Sequence, residues 1–160
     1  MHSRETHKMY FAAIVCPPEL DKKILDFKIW MKEQFGCVVA LRSPAHITLV
    51  PPFWLAESRE PELVQSLGSF INNLGILEIQ LDNFSHFNKR VLFIRVAGDP
   101  VLEEFKSQVT GHLMQSFPNI IKEEARPFQP HITIANRDML PGHFRKAWEY
   151  FSKKEFREIF

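Results

Sequence analysis

A chain of 160 residues that is 45% hydrophobic, with fifteen phenylalanines, carries enough apolar material for one packed domain or for two small lobes sharing an interface. A formal net charge of +1 excludes a strongly basic protein that coats long nucleic acid, and leaves room for a local basic patch or a small anionic ligand. Cys16 and Cys37 are too few for a disulfide framework, no apolar run spans a bilayer, and the polar stretch Met1 to Lys8 lacks a signal peptide's apolar core, so a reducing cytoplasm is the expected setting.

Met9 to Val15 is β-branched and aromatic, which predicts a buried strand stopped by Pro17-Pro18. Leu20, Ile24, Phe27, Met31 and Phe35 recur at helical spacing, predicting a helix over 19–35 with Gly36 as its stop. Val38 to Leu41 reads as a short strand. After Pro44 a strand runs from His46 to Val50, ended by Pro51-Pro52. Pro61 opens a helix with Leu63, Leu67, Phe70 and Leu74 on one face and Gly75 at its end.

Leu77, Ile79 and Leu81 alternate with polar residues, a half-buried strand continuing to Phe87. Asn88-Lys89-Arg90 reads as a turn into a returning strand, Val91 to Val96, so the two form a hairpin. Asp99-Pro100 opens another helix, buried along Leu102, Phe105, Val109 and Leu113. Pro118, Pro127 and Pro130 mark a loop before a strand from His131 to Ala135, and a last helix covers about 141–153. The end, Phe156 to Phe160, is strand-like and reads as if a final segment were absent.

One string occurs twice: His46-Ile47-Thr48-Leu49 and His131-Ile132-Thr133-Ile134. In a strand, the His and Thr of each copy share one face and the aliphatics the other. The chain has four threonines, and two of them stand here. Each copy follows an Arg-Pro loop (Arg42-Ser43-Pro44, Arg126-Pro127), and strand, helix and loop recur in the same order around both. That repetition predicts two pseudo-equivalent lobes, roughly 9–75 and 76–160, within a single domain of residues 1–160. The expected fold is α+β and bilobal, with two mainly antiparallel sheets lining a central cleft and helices outside.

Two imidazoles facing one cleft suit acid–base chemistry near neutral pH. One takes a proton from a nucleophile while the other supplies one to a leaving oxygen, which predicts a bell-shaped pH profile. Which histidine is the acid is left unassigned. Thr48 and Thr133 are placed to donate to the non-bridging oxygens of a phosphate, and a phosphodiester is the natural client. A 2′,3′-cyclic phosphate matches best, because its strained ring needs little beyond correctly placed protons. The scheme requires neither metal nor cofactor, and the spacing lacks the ligand pattern of a metal site. His86, His112 and His143 lie in no comparable setting and read as surface or structural residues; Cys16 and Cys37 read as small buried hydrophobes.

The paired His-x-Thr-x strings, with Pro51-Pro52-Phe53 after the first and Pro127-Phe128-Gln129-Pro130 before the second, resemble the two-histidine (2H) phosphoesterase superfamily. Within it the chain is most similar to the 2′-5′ RNA ligase-like and cyclic phosphodiesterase branch, from the Tyr10-Phe11 strand to the helix around Trp148. The resemblance implies a pseudo-twofold α+β fold and metal-independent chemistry on 2′,5′-linked or cyclic phosphodiesters. His46 and His131 match the catalytic histidines, and Thr48 and Thr133 the phosphate-binding hydroxyls. Many relatives carry a basic residue at the position of Asn136; here Arg137 follows one place later and reaches a substrate only if the strand has ended. Relatives also continue past the last helix into another strand, so a sheet edge is expected to lie uncovered here.

For substrate contacts, Phe53, Trp54, Phe84, Phe87 and Phe128 lie near motif-strand ends or the hairpin, with Phe84 and Phe128 preferred for stacking on a base. Arg42, Arg90 and Arg126 are candidate phosphate contacts that more commonly belong to solvated surface. The expected partner is an RNA 3′ end or a small cyclic nucleotide, not a membrane, and the expected state is a monomer. The competing readings are a nucleotide- or RNA-end-binding module without turnover, and RNA 2′,5′-ligation by the same site.

Overall fold

The structure is a computed structural model and describes residues 5–160; the first four residues of the polar stretch Met1 to Lys8 lie outside the described residues. In chain order the elements are β1 (His7–Val15), α1 (Pro18–Phe35), β2 (His46–Ala56), α2 (Glu60–Ile71), β3 (Gln80–Phe87), β4 (Val91–Val96), α3 (Pro100–Ser116), β5 (His131–Ala135), α4 (Pro141–Phe151) and β6 (Arg157–Ile159). The α+β class with two antiparallel sheets is as expected: one sheet pairs β1 with β2, the other runs β5-β4-β3-β6. Among the described residues no helix is long and apolar enough to cross a membrane.

The chain divides into two compact units, each gathered from three segments. The first takes the described residues through Ala13 with Thr48–Leu77 and Asp99–Phe128. Its helices α2 and α3 pack on each other around Leu63, Leu102, Val109 and Leu113. His112 belongs to that packing: it lies flat on Phe70, ring centroids 4.2 Å apart, with Nε2 2.9 Å from Ser66 Oγ. Asp99 caps α3, its carboxylate accepting from the Val101 amide at 2.7 Å, as the Asp-Pro pair predicts.

The second unit takes Ile14–Ile47, Glu78–Gly98 and Gln129–Phe160. One face of its four-stranded sheet presents Leu92, Ile94, Ile132 and Phe84, all buried. Helices α1 and α4 cover that face: Phe27 of α1 meets Phe84 edge-on at 5.0 Å and Phe151 of α4 at 5.9 Å. The other face carries the alternate residues, including His131, Thr133, Phe93 and Arg95. α1 ends at Gly36 in the left-handed conformation (φ 72°), which glycine adopts without a Cβ clash.

Three expectations need correction. Val38 to Leu41 is no strand: Val39–Arg42 forms a 3₁₀ turn, because Asp138 accepts from the amides of Val38 at 2.5 Å and Val39 at 2.8 Å and caps it. Pro51-Pro52 do not end the first motif strand; β2 runs on to Ala56. Among the described residues β2 pairs only with β1, so amides on its other side have no ladder to serve and proline is tolerated there. The expected bare sheet edge is covered, since β6 pairs with β3 at Gln80–Ile159, Leu81–Glu158 and Asp82–Arg157.

Candidate active site

Each motif histidine is the first residue of its strand, and the two copies share one burial pattern. His and Thr are half-buried in both, while Ile47 and Ile132 are fully buried and Leu49 and Ile134 nearly so. Strand alternation produces this: the aliphatics anchor the strand in a core, which obliges the intervening His and Thr to face the opposite way.

The local geometry is also repeated. His46 Nδ1 lies 2.7 Å from the Pro44 carbonyl, and His131 Nδ1 lies 2.7 Å from the Gln129 carbonyl. A carbonyl only accepts, so each ring carries its proton on Nδ1 and exchanges protons through Nε2. In both copies the acceptor is the residue two positions back.

His131 is packed by Phe87, edge-on at 4.9 Å, and by Phe93 at 5.0 Å. Its pKa lies below the ordinary 6.5: burial disfavours the cation most, the Gln129 carbonyl partly offsets this, and repulsion from His46 lowers it further. That repulsion means the two imidazoles, both in the second unit, are near enough to feel each other's charge.

The segment entering His46 is clamped atom by atom. Lys28 Nζ donates to the Ser43 carbonyl at 3.1 Å, and the Ala45 amide donates to Asp21 at 2.6 Å. The Cys16 amide donates to the Ala45 carbonyl at 2.9 Å. Lys28 is only 3% exposed, and burial lowers its pKa while Asp21 opposes that. Sequence reasoning missed both residues, although the signal was there. Lys28 stands one helical turn after Ile24, inside the apolar stripe of α1, where a lysine needs a buried acceptor.

The remaining candidates separate. Thr133 pairs across the sheet with Phe93, on the face of His131. Phe84 is not at that face: Asn83, at φ 58°, is an extra residue that turns Phe84 into the core against Phe27, Phe151 and Phe156. Phe87, a candidate not preferred over Phe84 and Phe128, is the one of the five that touches His131. Phe128 belongs to the first unit, where the Lys106 ammonium lies 5.6 Å from its ring. β5 ends at Ala135, so Arg137 sits in an exposed turn closed by the Met139 amide on the Asn136 carbonyl, free of the strand's alternation.

Phe53 is buried beside Tyr10, and Trp54 is exposed. Arg42, Arg90 and Arg126 are all exposed. His86 is packed between Phe144 and Trp148, and His143 against Phe35, so both serve packing. The thiols of Cys16 and Cys37 are buried, which pushes their pKa values up to about 12 and about 11 and keeps them unreactive. Among the described residues no cluster of His, Cys, Asp and Glu could hold a metal ion.

A family model described as the 2′-5′ RNA ligase superfamily matches residues 16–159. A Geobacillus sp. (strain WCH70) protein, provisionally named a phosphoesterase, is 25% identical over 120 residues, 74% of this chain. That match spans 65% of the relative's own length. The fold is shared with solved structures. TT0787 of Thermus thermophilus has a TM-score of 0.60 at 19% identity, covering 95% of this chain and 80% of that one. The MHV ns2 PDE domain gives 0.59 at 16%, covering 98% and 91%. E. coli LigT complexed with 3′-AMP gives 0.54 at 20%, covering 82% and 72%.

Proposed function

Because the chain belongs to the 2′-5′ RNA ligase superfamily, we propose that it is a phosphoesterase that opens 2′,3′-cyclic phosphodiesters with His46 and His131 as its acid–base pair. The observation that carries this reading is the duplicated imidazole: two rings, each with Nδ1 pinned to a backbone carbonyl at 2.7 Å, close enough for one to lower the other's pKa. Pinned Nδ1 leaves Nε2 as the working nitrogen of each.

The burial of His131 between Phe87 and Phe93 favours one division of labour. His131, kept neutral by burial and by its charged neighbour, is the base. Its Nε2 takes a proton from water as the water oxygen bonds to phosphorus. The ring P–O bond breaks, and the departing oxygen takes the Nε2 proton of His46. Exchange with solvent restores both rings. Thr48 and Thr133 donate hydroxyl hydrogens to the non-bridging oxygens, where charge builds in the transition state. Phe87 and Phe93 shield His131 and narrow the place for the phosphate beside it. A nucleotide substrate is also in keeping with the 3′-AMP held by the LigT neighbour.

The test is turnover of 2′,3′-cyclic nucleotides and of RNA ending in a 2′,3′-cyclic phosphate, with EDTA present. Each of His46→Ala and His131→Ala is expected to lower kcat by about 10²–10⁴-fold. Undiminished turnover in either variant would overturn the assignment, and binding without product from the wild-type chain would make it a nucleotide-binding module instead.

A further inference from the structure

We propose that the substrate is an RNA 3′ end with nucleotides upstream of the terminal phosphate, and that Arg95 and Arg157 hold the upstream phosphates; this rests on the acid–base reading of His46 and His131. His131 stands directly opposite Arg95 across β5 and β4, and Asp82 directly opposite Arg157 across β3 and β6. Between these pairs, Arg95 donates through Nη2 to Asp82 Oδ2 at 2.5 Å and through Nε to the Asp82 carbonyl at 3.2 Å. Arg157 Nε lies 3.5 Å from Asp82 Oδ1. His131, Arg95, Asp82 and Arg157 therefore form one row across four strands, on the face that α1 and α4 leave uncovered. The extra residue Asn83 keeps that row intact, since it leaves Asp82 facing Arg95 while Phe84 returns to the core.

Neighbouring strands lie about 4.8 Å apart, so the backbone of Arg157 is about 14 Å from that of His131. A few nucleotides of extended chain cover that span; a cyclic mononucleotide, with its single phosphate, uses none of it. The electrostatics agree. Two guanidiniums share one carboxylate, and Glu158, the next acid on that edge, is taken by Lys23 at 2.6 Å. Among the described residues neither arginine has another carboxylate within ion-pair distance. The row keeps one uncompensated positive charge, with the Arg95 and Arg157 side chains 54% and 67% exposed. A guanidinium fork matches two phosphate oxygens.

The experiment measures kcat/KM of the full chain on a 2′,3′-cyclic mononucleotide and on a short oligoribonucleotide ending in a 2′,3′-cyclic phosphate, over a salt series. Wild type is compared with Arg157→Gln, Arg157→Lys and Asp82→Asn, with melting curves for each. The oligonucleotide is expected to be preferred several-fold at low salt. Its log kcat/KM is expected to fall more steeply with log salt, by about 0.7 for each phosphate held. Arg157→Gln lowers the preference and removes about 0.7 of that slope, and Arg157→Lys retains most of it. Asp82→Asn, which frees both guanidiniums, raises the preference. Equal kcat/KM for the two substrates, a preference unmoved by Arg157→Gln, or a fall in Asp82→Asn overturns the proposal. Turnover of neither substrate overturns the acid–base reading instead.

Discussion

His46 and His131 enter their strands through the same hydrogen bond, and His131 is walled by Phe87 and Phe93, a burial that suits it to the base's role we propose for it. The acid limb of kcat/KM is expected to fall below pH 6.5, where His131 protonates, and a ¹H–¹⁵N titration of its ring should give the same midpoint. In His46→Gln the repulsion is gone, so the His131 titration moves to higher pH; an unmoved titration would mean that the two rings do not interact. The same group links pH to stability. The folded chain holds His131 deprotonated where the unfolded chain protonates it, so its contribution is complete above pH 6.5 and is lost as pH falls through the folded pKa. Lys28 makes a different prediction. Lys28→Met keeps the packing but removes the donor to the Ser43 carbonyl, leaving the approach to His46 loose. We expect kcat to drop by about ten- to a hundredfold, while the melting temperature holds or rises because a buried charge has been removed. An unchanged kcat would confine Lys28 to a structural role.

At the scale of elements, sequence patterns were most legible where several local signals agreed. α1, β4, β5 and the cap of α3 lie where spacing, Gly36 and Asp99-Pro100 put them. The hairpin also formed as expected, closed by the Arg90 amide on the Phe87 carbonyl at 2.9 Å. Its central residues, Asn88 at φ 48° and Lys89 at φ 57°, are both left-handed, as a type I′ turn requires. Asn tolerates that region; Lys pays for its Cβ. Lys89→Gly is therefore expected to stabilise the chain by about 0.4–1 kcal/mol, read from urea unfolding midpoints. The errors came where a distant residue overrode a local signal. The β-branched run at Val38 and Val39 is bent by Asp138, some hundred positions away in sequence, which no local window sees. Asp138→Ala, leaving two amides without their acceptor, is expected to cost about 1–3 kcal/mol in the same assay.

For the whole molecule, the chain end is part of the sheet. β6 lies against β3, and the Ile79 and Phe160 backbones exchange two hydrogen bonds, at 2.8 and 3.0 Å. Deleting residues 156–160 would bare the β3 edge and take Phe156 from the cluster of Phe27 and Phe84. We expect a lower melting temperature and concentration-dependent aggregation, measured by light scattering; a monodisperse, equally stable product would contradict this. The sequence by itself determined most of the strands and helices and the two His-x-Thr faces, because alternation and helical spacing are written into neighbouring residues. Only the tertiary structure decided that Phe84 belongs to the core and Phe87 to His131, that Lys28 and Asp21 hold the approach to His46, and that Arg95 and Arg157 share a row with His131. Those depend on register between strands and on one extra residue at Asn83, and register is set by pairing partners that lie far apart along the chain.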